Sequence, residues 1–187
     1  EKLCLILSSI FRYMEIDRDF IKKNLDHYSE TQGLMPKKLR EIGEKFHQQG
    51  FLTQEQLYNI AYESSTRSAY HVEKNPDQRC REVTKNMLEV DDDFSKVALI
   101  ASLKGFKAPT ASCVLTAANP ERHAVVDTRV WASLQRLGYF KERKESFDPS
   151  DYVKMIKPIR ELSTATDFST AKIGYALFAY DDKVREG

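Results

Sequence analysis

The sequence predicts an all-α fold of about eight or nine helices, a single domain over residues 1–187. Three observations carry that reading. Apolar residues recur at spacings of three and four along most of the chain. Residues that favour helix starts stand at the heads of those runs. No stretch alternates in the manner of a strand or holds an Asn-Gly hairpin turn, and no internal repeat or low-complexity tract is present.

In chain order, "LCLILSSIF" is too short to span a bilayer and lacks a clear small-residue cleavage site, so it reads as a packed N-terminal helix. The lack of an initiating Met suggests that the numbering starts inside a longer chain. "PKKLREIGEKFHQQG" puts Leu39, Ile42 and Phe46 on one face, with Pro36 near the start and Gly50 at the end. "TQEQLYNIAYESS" opens with the capping-box pair Thr53 and Gln56 before Leu57, Ile60 and Ala61. The segment "ESSTRSAYH", residues 63–71, reads as a loop between helices. "NPDQRCREVTKNMLEV" offers Asn75 as a cap and Pro76 as the first helical residue, then Cys80, Val83 and Met87.

"DDFSKVALIASL" predicts a short, almost wholly buried helix through Val97, Leu99 and Ile100. "PTASCVLTAAN" continues the pattern with Ala111, Val114, Leu115 and Ala118. The two make a helical hairpin over 97–119. Val130, Leu134 and Leu137 mark a helix over 124–138. The polar connector "KERKESFDPS", residues 141–150, sets off two C-terminal helices over 150–181. The first of them holds Pro158, which should kink it or end it early, and the second should begin at about Thr170.

With 41% hydrophobic and 30% charged residues the chain is globular and ordered. A net charge of +1 excludes a uniformly basic nucleic-acid binder, yet the charge is uneven. From Lys96 to Lys144 nine Lys or Arg face three acids, a local balance of +6. Such a segment is either a localised polyanion site or a solvated mixed surface. Cys4, Cys80 and Cys113 lie far apart without C-x-x-C spacing, so they support a reducing compartment but no disulfide framework, zinc site or iron–sulfur site. No metal is expected.

The informative segment is "LKGFKAPTASCVLTAANPERHAVVDTRVW", residues 103–131. Its tight turn contains Gly105 and is flanked by Lys104 and Lys107. There the amides, dipole and charges at the start of the second helix can hold a phosphate; an ordinary helix-turn-helix stop is the alternative. In "AVVDTRVW", Asp127 stands between two apolar pairs, where a carboxylate is costly to desolvate. It is either the N-cap of the following helix or a catalytic group.

This segment resembles the helix-hairpin-helix DNA glycosylases, the superfamily of endonuclease III, the adenine glycosylase and 8-oxoguanine glycosylase. "LKGFKAPTASCVL" fills the family's hairpin pattern L-P-G-x-G-x-x-x-A-x-x-x-L. "AVVDTRVW" fills the short apolar run that ends in the catalytic Asp, and Asp127 falls 22 residues after Gly105. The resemblance implies a DNA glycosylase that flips a damaged or modified base from duplex DNA and hydrolyses its N-glycosidic bond. Asp127 would be the catalytic carboxylate, with Lys104, Gly105 and Lys107 as a phosphate clamp. Arg129 would contact phosphate or keep Asp127 ionised. Arg67 would probe the gap left in the stack, and Tyr70 or His71 would touch the base, unless this loop has no role. Tyr62, Trp131, Tyr175 and Phe178 are candidates to stack on the base, with core packing as the alternative for each. His123 packs or faces solvent.

Three departures matter. Pro109 stands where bifunctional members carry a nucleophilic Lys, so a monofunctional hydrolase is expected. Lys107 replaces the second hairpin glycine, which loosens backbone phosphate binding and adds charge. The four-cysteine loop of the endonuclease III branch is missing, so cofactor-free catalysis is expected. The expected partner is duplex DNA, bound by a monomer without membrane association, in the bacterial cytoplasm or the eukaryotic nucleus. The alternatives are an inactive DNA-binding or protein-interaction module of the same fold, and a helical adaptor that never meets DNA.

Overall fold

The computed structural model describes residues 16–32 and 34–186. Among them are ten α-helices and no strand. The helices are α1 (Arg18–Gln32), α2 (Leu34–Gln49), α3 (Gln54–Ser64), α4 (Thr66–Val72) and α5 (Asp77–Glu89). They continue with α6 (Asp93–Ala101), α7 (Ala108–Ala118), α8 (Thr128–Arg136), α9 (Pro149–Thr166) and α10 (Thr170–Glu186). The fold is all-α, as the sequence predicts. The proposed helix at "LCLILSSIF", and Cys4 with it, lies outside the described residues. Among those residues no helix is long and apolar enough to cross a membrane.

The centre of the core is α7, in which every residue from Thr110 to Ala118 is buried. Its small side chains let α2, α3, α6 and α9 all pack against it. Its polar side chains bond back to the backbone instead of demanding water. Ser112 Oγ donates to the Pro109 carbonyl at 2.5 Å, and Thr116 Oγ1 to that of Ser112 at 2.7 Å. Around it Phe46, Leu57, Ile60, Leu134, Tyr152 and Met155 fill the interior.

Several boundaries differ from the sequence expectation for physical reasons. Residues 66–72 are not a loop but helix α4, which starts after extended Ser65 and puts Ala69 and Val72 into the core. Asn75 does not cap α5; Pro76 occupies that position, and the Asn75 side chain serves the turn after α6 instead. Helix α6 buries one face, Val97 and Ile100, and leaves Phe94 48% exposed. Helix α8 begins only at Thr128, with Asp127 extended as its N-cap, and ahead of it the amide of Val126 is taken by Ser112 Oγ at 3.0 Å.

Pro158 does not end α9, which runs on to Thr166. Burial of Met155, Ile156, Ile159 and Leu162 on both sides of the proline offsets the one missing backbone bond. The helix also starts firmly, with Asp148 and Asp151 each accepting the other's amide hydrogen in a capping box. The connector before it is pinned. Phe147 is buried 5.5 Å from Trp131, whose indole Nε1 donates to the Glu142 carbonyl at 2.8 Å.

Candidate active site

The turn between α6 and α7 and the segment before α8 meet at one cleft of about 700 Å³. Two devices fix the turn. The Asn75 side chain accepts from the Lys104 amide at 2.9 Å and donates to the Lys104 carbonyl at 2.9 Å, so both backbone polar groups of that residue are satisfied. Gly105 has φ +89°, and a Cβ there would lie 2.8 Å from the Ser68 carbonyl oxygen and 2.9 Å from the Val72 side chain. Only glycine fits both the dihedral and the space.

Helix α7 then begins with Lys107 at its N-cap, without a side-chain cap bond. Lys107, Pro109 and Thr110 line the cleft, so the positive end of the most buried helix opens onto it. Lys107 has an ordinary φ of −120°, so lysine in place of a second glycine strains nothing there. Lys104 is exposed and stands outside the cleft lining.

Asp127 lines the cleft as the N-cap of α8. Its Oδ1 accepts from the amides of Arg129 at 2.9 Å and Val130 at 3.0 Å. No hydrogen bond from a described residue occupies Oδ2. Burial pushes its carboxyl above the usual carboxylate range; the two amides and the Arg129 charge oppose that push without reversing it. Cap and cleft-facing carboxylate are thus one residue.

Arg129 is engaged elsewhere. Its guanidinium pairs with Asp182, stands 4.0 Å from Asp181 and lies 5.0 Å over the Phe178 ring. As a phosphate ligand it would have to leave these partners.

One wall of the cleft is aromatic. Tyr28 of α1 stacks on Tyr175 of α10 with centroids 4.9 Å apart and planes at 26°. Phe178 meets Tyr28 edge-on at 5.6 Å. Burial pushes both tyrosine phenols upward, so they stay neutral. The lining also carries hydroxyls, with Ser64 and Thr110 oxygens 3.3 Å apart, and Glu63 paired to Lys38. Gly174 lets α10 close on the Asp127 segment, because a Cβ there would sit 2.8 Å from the Ala124 Cβ.

The remaining candidates divide clearly. Arg67 and His71 line the cleft from α4. Tyr70 is 53% exposed and lies outside the lining, its ring 3.9 Å from His71 and 4.9 Å from the Lys74 ammonium. Tyr62 is exposed and packs on Tyr58, away from the cleft. Trp131 leaves the base-pocket set: it is buried, stacks on Phe140 at 4.2 Å and faces a separate groove with Arg136, Arg143 and Lys144. The 139–147 connector holds it there, through the Phe140 and Phe147 rings and the Glu142 carbonyl. Tyr28 is the site residue that sequence reasoning missed. It carries no local motif, and only the packing of α1 on α10 brings it to the cleft.

His123 is buried, and its Nδ1 lies 2.8 Å from the Tyr152 hydroxyl. Burial pushes its imidazole down to about 4. Nearby, Arg160 grips Asp93 with two bonds, at 2.5 and 2.9 Å, and donates to the Arg122 carbonyl at 2.8 Å. This cluster anchors the chain just before Asp127.

No protein-family model matches the chain, and no curated protein does. Among solved structures it is similar to the 8-oxoguanine DNA glycosylase of Thermotoga maritima, with a TM-score of 0.55. That likeness covers 87% of this chain and 95% of the other at 17% identity. At such identity it establishes the fold: an all-helical, DNA-glycosylase-like arrangement.

Proposed function

We propose that this chain is a DNA glycosylase that hydrolyses the N-glycosidic bond of a damaged or modified base flipped out of duplex DNA. The observation that carries the reading is Asp127. Its carboxylate caps α8 through one oxygen and turns the cleft beside the α7 N-terminus acidic at one point. The fold it shares with an 8-oxoguanine glycosylase supports the same reading.

In this account the base enters beside the Tyr28–Tyr175–Phe178 wall, where aromatic faces suit stacking. Lys107 and the start of α7 hold the backbone of the damaged strand, which offsets the unstacking cost of flipping, roughly a few kcal/mol. As the C1′–N bond breaks, positive charge builds on the deoxyribose, and the Asp127 anion stabilises it. The same carboxylate orients the attacking water and takes its proton, while the bond's electron pair leaves with the base. Pro109 has no amine, so the sugar is released to water and not to a Schiff base at that position. The product is an abasic site.

The test is a panel of end-labelled duplexes, each with one oxidised, alkylated, deaminated or bulky modified base. Release of one free base, with strand breakage appearing only after hot alkali, is the expected result. Breakage without alkali would overturn the monofunctional mechanism. A second reading, a DNA-binding module without catalysis, is favoured by the Asp127 cap, which satisfies two α8 amides and needs no substrate. Salt-sensitive duplex binding with no base release across the panel would select it.

A further inference from the structure

Helices α1 and α10 make an extensive contact and carry the two halves of the aromatic wall. At their junction His27, Asp182 and Glu186 place one imidazole nitrogen and two carboxylate oxygens within 4.8 Å of one another. His27 Nε2 is fully covered and makes no hydrogen bond, although Asp182 Oδ2 lies 3.5 Å away. A buried ring nitrogen without a partner is costly, and here it faces two anionic oxygens. Arg129 takes Oδ1 of Asp182 and leaves Oδ2 uncommitted. The neighbouring Asp181 belongs to other cations, Arg136 and Arg185. Glu186 is exposed at the end of α10, so its side chain is able to swing.

We propose that His27, Asp182 and Glu186 form a binding site for a divalent transition-metal ion of the zinc class, clamping α1 to α10. The geometry supports this choice of ion. Zinc bonds of about 2.0–2.1 Å set neighbouring ligands about 3.4 Å apart at the edge of a tetrahedron. The His27–Asp182 pair, at 3.5 Å, already spans such an edge. Glu186 completes a third vertex by a small side-chain movement, and water takes the fourth. One nitrogen and two oxygens suit zinc better than magnesium, which prefers oxygen ligands alone. Because Tyr28 follows His27, the bound ion would fix the Tyr28–Tyr175 stack from outside the cleft. The site is separate from the chemistry at Asp127, and its test needs no DNA.

The experiment uses untagged protein stripped of metal by chelator dialysis. Zinc chloride is titrated into wild type, His27→Gln and Glu186→Gln by calorimetry, with thermal unfolding read at each endpoint and magnesium chloride as control. Wild type should bind one zinc per chain and gain several degrees in Tm, with no response to magnesium. Both variants should lose about tenfold or more in affinity together with the Tm gain. Glu186→Gln, exposed at a helix end, should keep the metal-free Tm of wild type. No zinc binding by wild type up to about 1 mM would overturn the proposal. So would undiminished binding in either variant, or an equal response to magnesium.

Discussion

The Asp127 carboxylate caps the helix that carries Arg129, and it does so with a single oxygen, which accepts both the Arg129 and the Val130 amides. The cap and the catalytic reading of this residue therefore do not compete, and one substitution separates them. Asparagine retains an acceptor oxygen and is an equally good N-cap. It also removes the buried charge whose cost raises the Asp127 carboxyl. The sign follows from linkage: a group with a raised folded pKa favours the native state in its protonated form, and this contribution is lost as pH rises through that pKa. Asp127→Asn should therefore keep or raise the neutral-pH Tm, read by calorimetry, where Asp127→Ala should lower stability by about 1 kcal/mol.

The Gly105 turn should tolerate no side chain. Gly105→Ala sets a Cβ against the Ser68 carbonyl in a left-handed backbone, at a cost of about 2 kcal/mol or more. Denaturant unfolding should show the lowered midpoint. Asn75→Ala strands the Lys104 amide and carbonyl and should cost a similar amount. Both variants should weaken duplex binding, because the turn that places Lys107 is lost.

Lys107 should act on DNA affinity alone. As a phosphate contact, its replacement by alanine should weaken binding uniformly across sequences and reduce the slope of log K against log salt by about 1. Tm should not move, since the side chain is exposed and makes no cap. An unchanged slope, measured by fluorescence anisotropy from low to moderate salt, would remove Lys107 from the DNA interface.

Acid should unfold the molecule through His123. Its imidazole, pushed down to about 4 by burial, is neutral when folded, while the unfolded chain takes up a proton near 6.5. Stability should then fall as pH drops from about 6.5 towards 4, by about 3 kcal/mol at most. A His123→Asn variant should show a flatter pH dependence in chemical denaturation over that window.

What was legible in the sequence was local. The α7 run, the Thr53–Gln56 capping box, the start of α10 at Thr170 and the setting of Asp127 are all written within a few neighbouring residues. What was not legible depends on chain segments meeting. Tyr28 joins the cleft from about a hundred residues before Asp127, through the packing of α1 on α10. The task of Asn75 is set by a turn 29 residues later, so it reads as a cap when only its neighbours are considered. Helix α4 is too short, at seven residues, to establish a helical period, and it passes for a loop. Pro158 misleads in the other direction, because local propensity yields to a buried helix face. The absence of a cysteine cluster hid the His27–Asp182–Glu186 group, whose members lie at opposite ends of the sequence.

The most direct test of the central claim is the single-turnover excision rate of wild type against Asp127→Asn, on the duplex that the panel identifies. A fall of about 100-fold or more is expected, with duplex affinity within about twofold of wild type and Tm unchanged or higher. An Asn variant that excises at the wild-type rate would contradict it and leave Asp127 as a helix cap.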